Sequence, residues 1–249
     1  SAIALCLSLS GCAQDNPVAA SKLHGNDESF AFTVTLKNTS DATVLPSALA
    51  PLAWATFTAG DALFKTGDSA TSGLQALAED GDPEGLIEGL STALSKGHLT
   101  EPLAPGATTT FTFSARPGSV LSFASMLVET NDVFVGPEQN HVDLFDGRNE
   151  PISGSLVIAL FDAGTEVNQA PGSGDAQAPR QSAPNTGAEE SQPVALLTER
   201  QDGFNYPAAG QILAVTIEAD HADHEHEDGE HEAAEHDHAD DEAHDHDHG

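Results

Sequence analysis

The chain has 249 residues, with 40 Asp plus Glu against 8 Lys plus Arg, a formal net charge of −32. That balance excludes nucleic acid as a partner, because binding it requires basic groups to neutralise phosphates, and it makes cations and basic surfaces the natural counterparts. A solubility adaptation of the surface is the plainer alternative source of the charge. About 200 residues of ordinary composition precede a polar tail, and a body of that size can bury one good core.

The N-terminal segment Ala2 to Leu9 is apolar and leads into Leu9-Ser10-Gly11-Cys12, which looks like a bacterial lipobox. Small residues before a cysteine admit a signal peptidase, and the thiol of Cys12 would take the lipid. The segment 1–12 is read as a truncated lipoprotein signal peptide, too short to span a bilayer. An ordinary secretory signal or a buried apolar segment is the alternative. Ala13 stands where Asp would signal inner-membrane retention, so the expected location is extracytoplasmic, at the outer membrane or cell surface. Cys6 lies inside the signal, so the mature fold has no cysteine for a disulfide.

Residues 13–27 are polar and read as a tether, and 28–219 as the folded body. Within it, 28–37 alternates with Phe30, Phe32, Val34 and Leu36 on one face, the pattern of a half-buried strand. Residues 38–41 are a turn. Residues 44–57 are apolar but carry Pro46 and Pro51, which predicts short extended pieces, and 61–64 is a short strand candidate. Residues 71–79 read as a helix with Leu74, Leu77 and Ala78 at helical spacing. A second helix opens at Asp82-Pro83-Glu84, with Leu86, Ile87, Leu90 and Leu94 as its stripe and Gly97 closing it. Residues 108–115 and 119–128 read as strands joined by a hairpin turn at Arg116-Pro117-Gly118. The short apolar run 156–161 suits a strand buried on both faces. Residues 170–193, rich in Pro, Gly, Ser, Ala and Gln, read as a long flexible loop, and 211–218 as the last strand.

Two acidic loops follow apolar strands. Asp162 ends the 156–161 run, Gly164 permits a sharp turn, and Glu166 can point back; Asp132 lies in the loop 129–136. Carboxylates and turn carbonyls at strand ends are what calcium needs, since it takes six to eight oxygens. Asp132, Asp162 and Glu166 are the candidate calcium ligands, with Glu129 as a further candidate. Turn-capping by the same acids is the alternative. Without an ion such carboxylates repel, so Asp162→Asn or Glu166→Gln is expected to be neutral or slightly stabilising in calcium-free conditions.

These motifs carry a resemblance. The segments SFASMLVETNDVFVG (122–136) and LVIALFDAGTEVN (156–168) are similar to the spondin N-terminal domain in its bacterial secreted form. FTVTLKNTSD (32–41), DALFKTGDSATSGLQALAEDGD (61–82) and APGATTTFTFSARPG (104–118) agree in order, so the resemblance runs from about Phe30 to Asn168, with the strand near 212–217. It implies a C2-like antiparallel β-sandwich with one or two inserted short helices and a calcium site in its end loops, on Asp132, Asp162 and Glu166. Glu166 stands where animal members usually have Asp, and Glu129 where they usually have Pro. The resemblance also implies adhesion or surface binding, the role of animal members.

The tail from 220 to 249 holds nine of the twelve histidines, His221, His224, His226, His231, His236, His238, His244, His246 and His248, among 14 acids. Imidazole suits zinc, nickel and copper, and the interleaved acids attract cations. Nothing in the tail can pack, so it is expected to be disordered until metal binds, and to release metal below about pH 6 as histidine protonates. A solvated acidic tail is the alternative. No Gly-x-Ser-x-Gly, His-Glu-x-x-His or catalytic cysteine is present, so a non-enzyme is expected. Two functions stay open: a lipid-anchored binding module for a surface glycan or protein, and a metal-handling lipoprotein that collects Zn, Ni or Cu.

Overall fold

The structure is a computed structural model that describes residues 28–220. Cys12, the tether and the histidines from His221 to His248 lie outside the described residues.

The elements run in the order β1 (Phe30–Asn38), β2 (Ala53–Thr58), α1 (Ser72–Asp80), α2 (Glu84–Glu88), β3 (Ser95–His98), β4 (Thr108–Ala115) and β5 (Ser119–Met126). There follow β6 (Val133–Pro137), β7 (Val142–Asp143), β8 (Gly154–Ser155), β9 (Ile158–Asp162), β10 (Ala195–Leu196), α3 (Ala209–Ile212) and β11 (Leu213–Asp220). The strands form two antiparallel sheets. One has four strands in the order β4-β1-β11-β8; the other has seven, in the order β10-β9-β6-β5-β2-β3 with β7 paired to β5. The molecule is a mainly β sandwich, as its strand patterns lead one to expect. Among the described residues no helix is long and apolar enough to cross a membrane.

The burial patterns follow from side-chain alternation along a strand. In β1, Phe32, Val34 and Leu36 point into the sandwich while Thr33 and Thr35 face outward, and Leu213, Val215, Ile217 and Ala219 of β11 do the same beside them. The seven-stranded sheet is covered on both faces. Leu121 and Phe123 of β5 join the core between the sheets. Val120 and Ala124 of the same strand join a second core with Leu74, Leu77 and Leu86 of α1 and α2. That double cover is why β5 and β6 are buried without interruption, and each fully buried Phe or Leu contributes roughly 1.5–3 kcal/mol. Thr71 caps α1 by accepting the N–H of Leu74 at 3.2 Å.

Several expectations are corrected. Residues 61–64 form no strand; Leu63 and Phe64 instead plug the second core, where Phe64 meets Phe134 and Phe161 edge-on at 4.8 Å each. The second helix stops at Glu88 rather than running to Leu94, because 95–98 pairs with the edge of β2. Gly97 is therefore no helix stop. It lies opposite Trp54, whose ring would be 2.8 Å from any Cβ there. Residues 116–118 make no hairpin: β4 pairs with β1 and β5 with β2, so the turn passes the chain from one sheet to the other. Residues 53–58 form a full strand in spite of Pro46 and Pro51, and 133–137 is a strand where a loop is expected. The run 156–161 is buried only toward its end, since Val157 is exposed and β9 begins at Ile158. Residues 170–193 carry no regular element, as expected, but they are fastened to the body. Gln177 is fully buried, and Gln181 Nε2 donates to Asp80 Oδ1 at 2.9 Å.

Candidate metal centre

Pairing of β6 with β9 creates the site. Val133 lies opposite Asp162, so the residue before it, Asp132, sits beside the turn that leaves β9; its carbonyl accepts the N–H of Ala163 at 3.1 Å. Two acids far apart in sequence therefore meet at one end of the sandwich. Both are buried, at 0 % and 1 % exposure, and Glu166 is buried at 1 %.

Asp132 binds the turn. Its Oδ2 accepts from the N–H groups of Thr165 and Glu166 at 2.8 and 3.1 Å and from the Thr165 hydroxyl at 3.3 Å. Its Oδ1 is buried with no hydrogen-bond partner. A carboxylate oxygen in that position is costly unless a cation or a proton meets it. Burial first, and then the charge of Asp162, pushes the Asp132 carboxyl up to about 7, and the donors from Thr165 and Glu166 offset only part of this.

Asp162 accepts the N–H of Gly164 at 2.8 Å and the Asn168 amide at 2.6 Å, and its Oδ1 is 2.9 Å from the Arg200 guanidinium. Glu166 does not reach back to Asp162. Its Oε1 accepts the N–H of Gly187 at 2.8 Å, and its Oε2 accepts from Asn131 at 3.1 Å. Glu129 is paired with Arg180 of the long loop at 2.8 Å. That loop thus closes over the acids through Arg180 and Gly187.

A fourth acid, Glu79 at the end of α1, is 1 % exposed, with Oε2 unpartnered. Burial pushes its carboxyl up, and the charges of Glu166 and Asp80 add to this. Glu190 is also raised, by burial and then by Asp162, with Arg200 opposing. Glu79 and Arg200 carry no sequence signal. Glu79 lies off the Leu74–Leu77–Ala78 stripe, and Arg200 comes from a segment 38 residues after Asp162 with no pattern linking them.

In kind, this donor set fits a hard cation. The donors are all oxygens, the acids outnumber the one guanidinium, and Asp132 presents an oxygen with no donor. Among the described residues, however, no group of three or more His, Cys, Asp or Glu side chains is placed to hold an ion. The oxygens of Asp162 and Glu166 are taken by Arg200, Asn168, Asn131 and the N–H groups of Gly164 and Gly187.

The turn itself depends on Gly164. Its φ is +70°, and a Cβ would come within 2.3 Å of the Gln192 carbonyl oxygen. Gly164→Ala is expected to cost at least about 2 kcal/mol, from left-handed strain plus a backbone clash. Urea unfolding measures it; a loss under about 0.5 kcal/mol would show the turn to be slack.

No protein-family model matches this chain, and no curated protein is significantly similar to it.

Proposed function

We propose that the body is a spondin-like, non-enzymatic binding module whose end loops bind calcium through Asp132, Asp162 and Glu166, held at the cell surface by a lipid on Cys12. The observation that carries this reading is the buried Oδ1 of Asp132, which has no donor and lies beside the charge of Asp162. Turn carbonyls would supply further oxygens, and calcium would replace the repulsion between the two acids with a shared attraction. Glu129, engaged by Arg180, is left out of the ligand set. The bound loops would present a surface to a glycan or protein outside the cytoplasm.

Calcium binding is tested on the chain ended after Asp220. A ligand that binds only the folded state stabilises it by about 2.7 kcal/mol at a hundredfold excess over its dissociation constant, roughly 5–10 °C for a domain of this size. Calcium should produce such a shift and magnesium a smaller one, because magnesium gives up its waters reluctantly. No shift, or an equal shift with magnesium, overturns the site.

A second reading rests on the tail. Nine histidines interleaved with acids suit zinc, nickel or copper capture for a transporter. Ending the chain after Asp220 should remove most zinc or nickel binding measured by calorimetry and leave the melting of the body nearly unchanged. Retention of the full stoichiometry by the shortened chain would place those ligands elsewhere.

A further inference from the structure

A cavity of about 620 Å³ lies beside the acid loops, not within them. It opens between β9 and the segment 196–209. Its base is apolar, formed by the buried Leu160, Leu197 and Pro207 with Ile158 beside them. Phe204 and Tyr206, two residues apart in the chain, supply aromatic surface, and both are half-buried. Asp202 and the exposed Glu138 are its acids. A volume in this range with an apolar base and few polar groups is the usual form of a small-molecule site.

Charge narrows the ligand class. Asp202 is held in one orientation: one oxygen accepts the N–H of Phe204 at 2.9 Å, the other the Tyr206 hydroxyl at 2.9 Å. Burial, followed by the Asp202 hydrogen bond and charge, drives the Tyr206 hydroxyl well above its ordinary range. The phenol therefore stays neutral and donates to Asp202. Arg200 is the one basic residue in the lining; its Nη2 is engaged by Asp162 at 2.9 Å and the Pro193 carbonyl at 2.6 Å, and its buried Nε has no partner. Asp202 and Glu138 thus outnumber the one base in the lining, whose charge is already paired with Asp162. An anion would be repelled by these acids and by the charge of −32 on the whole chain. Aromatic faces next to carboxylates attract a cation through the ring quadrupole and Coulomb's law together.

We propose that this cavity binds an organic ammonium group carried on an apolar body, with Phe204 and Tyr206 against the cation and Asp202 as its counter-charge. A neutral apolar molecule would gain only the base, and a neutral sugar would leave both carboxylates without a partner charge.

Tyr206 is the sole tyrosine of the chain and the single tryptophan, Trp54, does not line the cavity, so a tyrosine difference band in the near ultraviolet reports on this cavity. The probes are choline; 3,3-dimethylbutanol, which has the same shape with carbon in place of the charged nitrogen; methyl glucoside; and butyrate. The full chain is titrated with each in the presence of chelator, so that the outcome is separate from the calcium reading. Choline should perturb Tyr206 saturably, with the neutral isostere at least fivefold weaker and butyrate silent. Phe204→Leu should weaken choline about fivefold, in line with a partly desolvated cation–π contact. Asp202→Asn should weaken choline about tenfold and leave the isostere unchanged. Because Asp202 also orders its own turn, Glu138→Gln provides a second variant on an exposed side chain, expected to weaken choline about threefold. The proposal is overturned if the isostere binds as tightly as choline, if the glucoside perturbs Tyr206 and choline does not, if no probe perturbs it, or if Glu138→Gln and Phe204→Leu both leave choline binding unchanged.

Discussion

Asp132→Asn is expected to stabilise the calcium-free protein at pH 8 and to abolish its calcium response. The Asp132 carboxyl is raised from an ordinary 3.8 to about 7 in the folded protein. Between those values the folded protein holds a proton that the unfolded chain has released. Stability from this group therefore falls as pH rises through that window, and is flat above about 7. At 1.36 kcal/mol per pH unit the whole window amounts to at most about 4 kcal/mol, reduced by any relaxation of the buried site. Asparagine keeps an oxygen for the donors of Thr165 and Glu166 and carries no charge to bury. The parent should lose stability relative to Asp132→Asn from pH 4 to 7, measured by urea unfolding at several pH values. The difference between the two proteins isolates Asp132 from Glu79 and Glu190, which shift in the same direction. Calcium needs the carboxylate, so its affinity for the parent should weaken up to about tenfold per pH unit below 7. Equal pH profiles for parent and variant would remove Asp132 from the site.

Asp162→Asn should go the other way, with a cost of about 3 kcal/mol in calcium-free conditions. Repulsion between the acids alone predicts a neutral or slightly stabilising change, but Asp162 is the charge partner of Arg200, whose side chain is only 18 % exposed. Removing one member of a largely buried pair leaves the other charge without compensation, and this outweighs the relief of Asp132. The calcium-dependent shift should vanish in the same variant. Arg200→Met separates the two effects. It should destabilise the calcium-free protein, because the buried Asp162 then loses its charge partner. It should also tighten calcium binding, because Arg200 no longer competes for Asp162 Oδ1. If Asp162→Asn changes stability by less than about 0.5 kcal/mol, the ion pair contributes nothing and the turn alone positions Asp162.

Local chemistry was legible from the sequence wherever one residue's neighbours in the chain settle its place. Alternation in 28–37 and 211–218 marked the faces of β1 and β11, and Leu74, Leu77 and Ala78 marked α1, because side-chain period is a property of a few consecutive residues. Asp132, Asp162 and Glu166 could be picked out as acids at strand ends for the same reason. Pairing could not be read in this way. Residues 95–98 became a strand because the edge of β2 was open to them, and 116–118 became a crossing between sheets because β4 and β5 have different partners. Only the tertiary structure set Asp132 beside Asp162, through the register of β6 on β9, and left one oxygen of Asp132 without a donor. It alone brought Glu79 and Arg200 to that cluster, and folded Phe204 and Tyr206 over the apolar base next to it. The physical reason is range. Period and propensity act within a turn or a strand, whereas burial, charge pairing and cavity shape depend on which distant segments the sheets bring together.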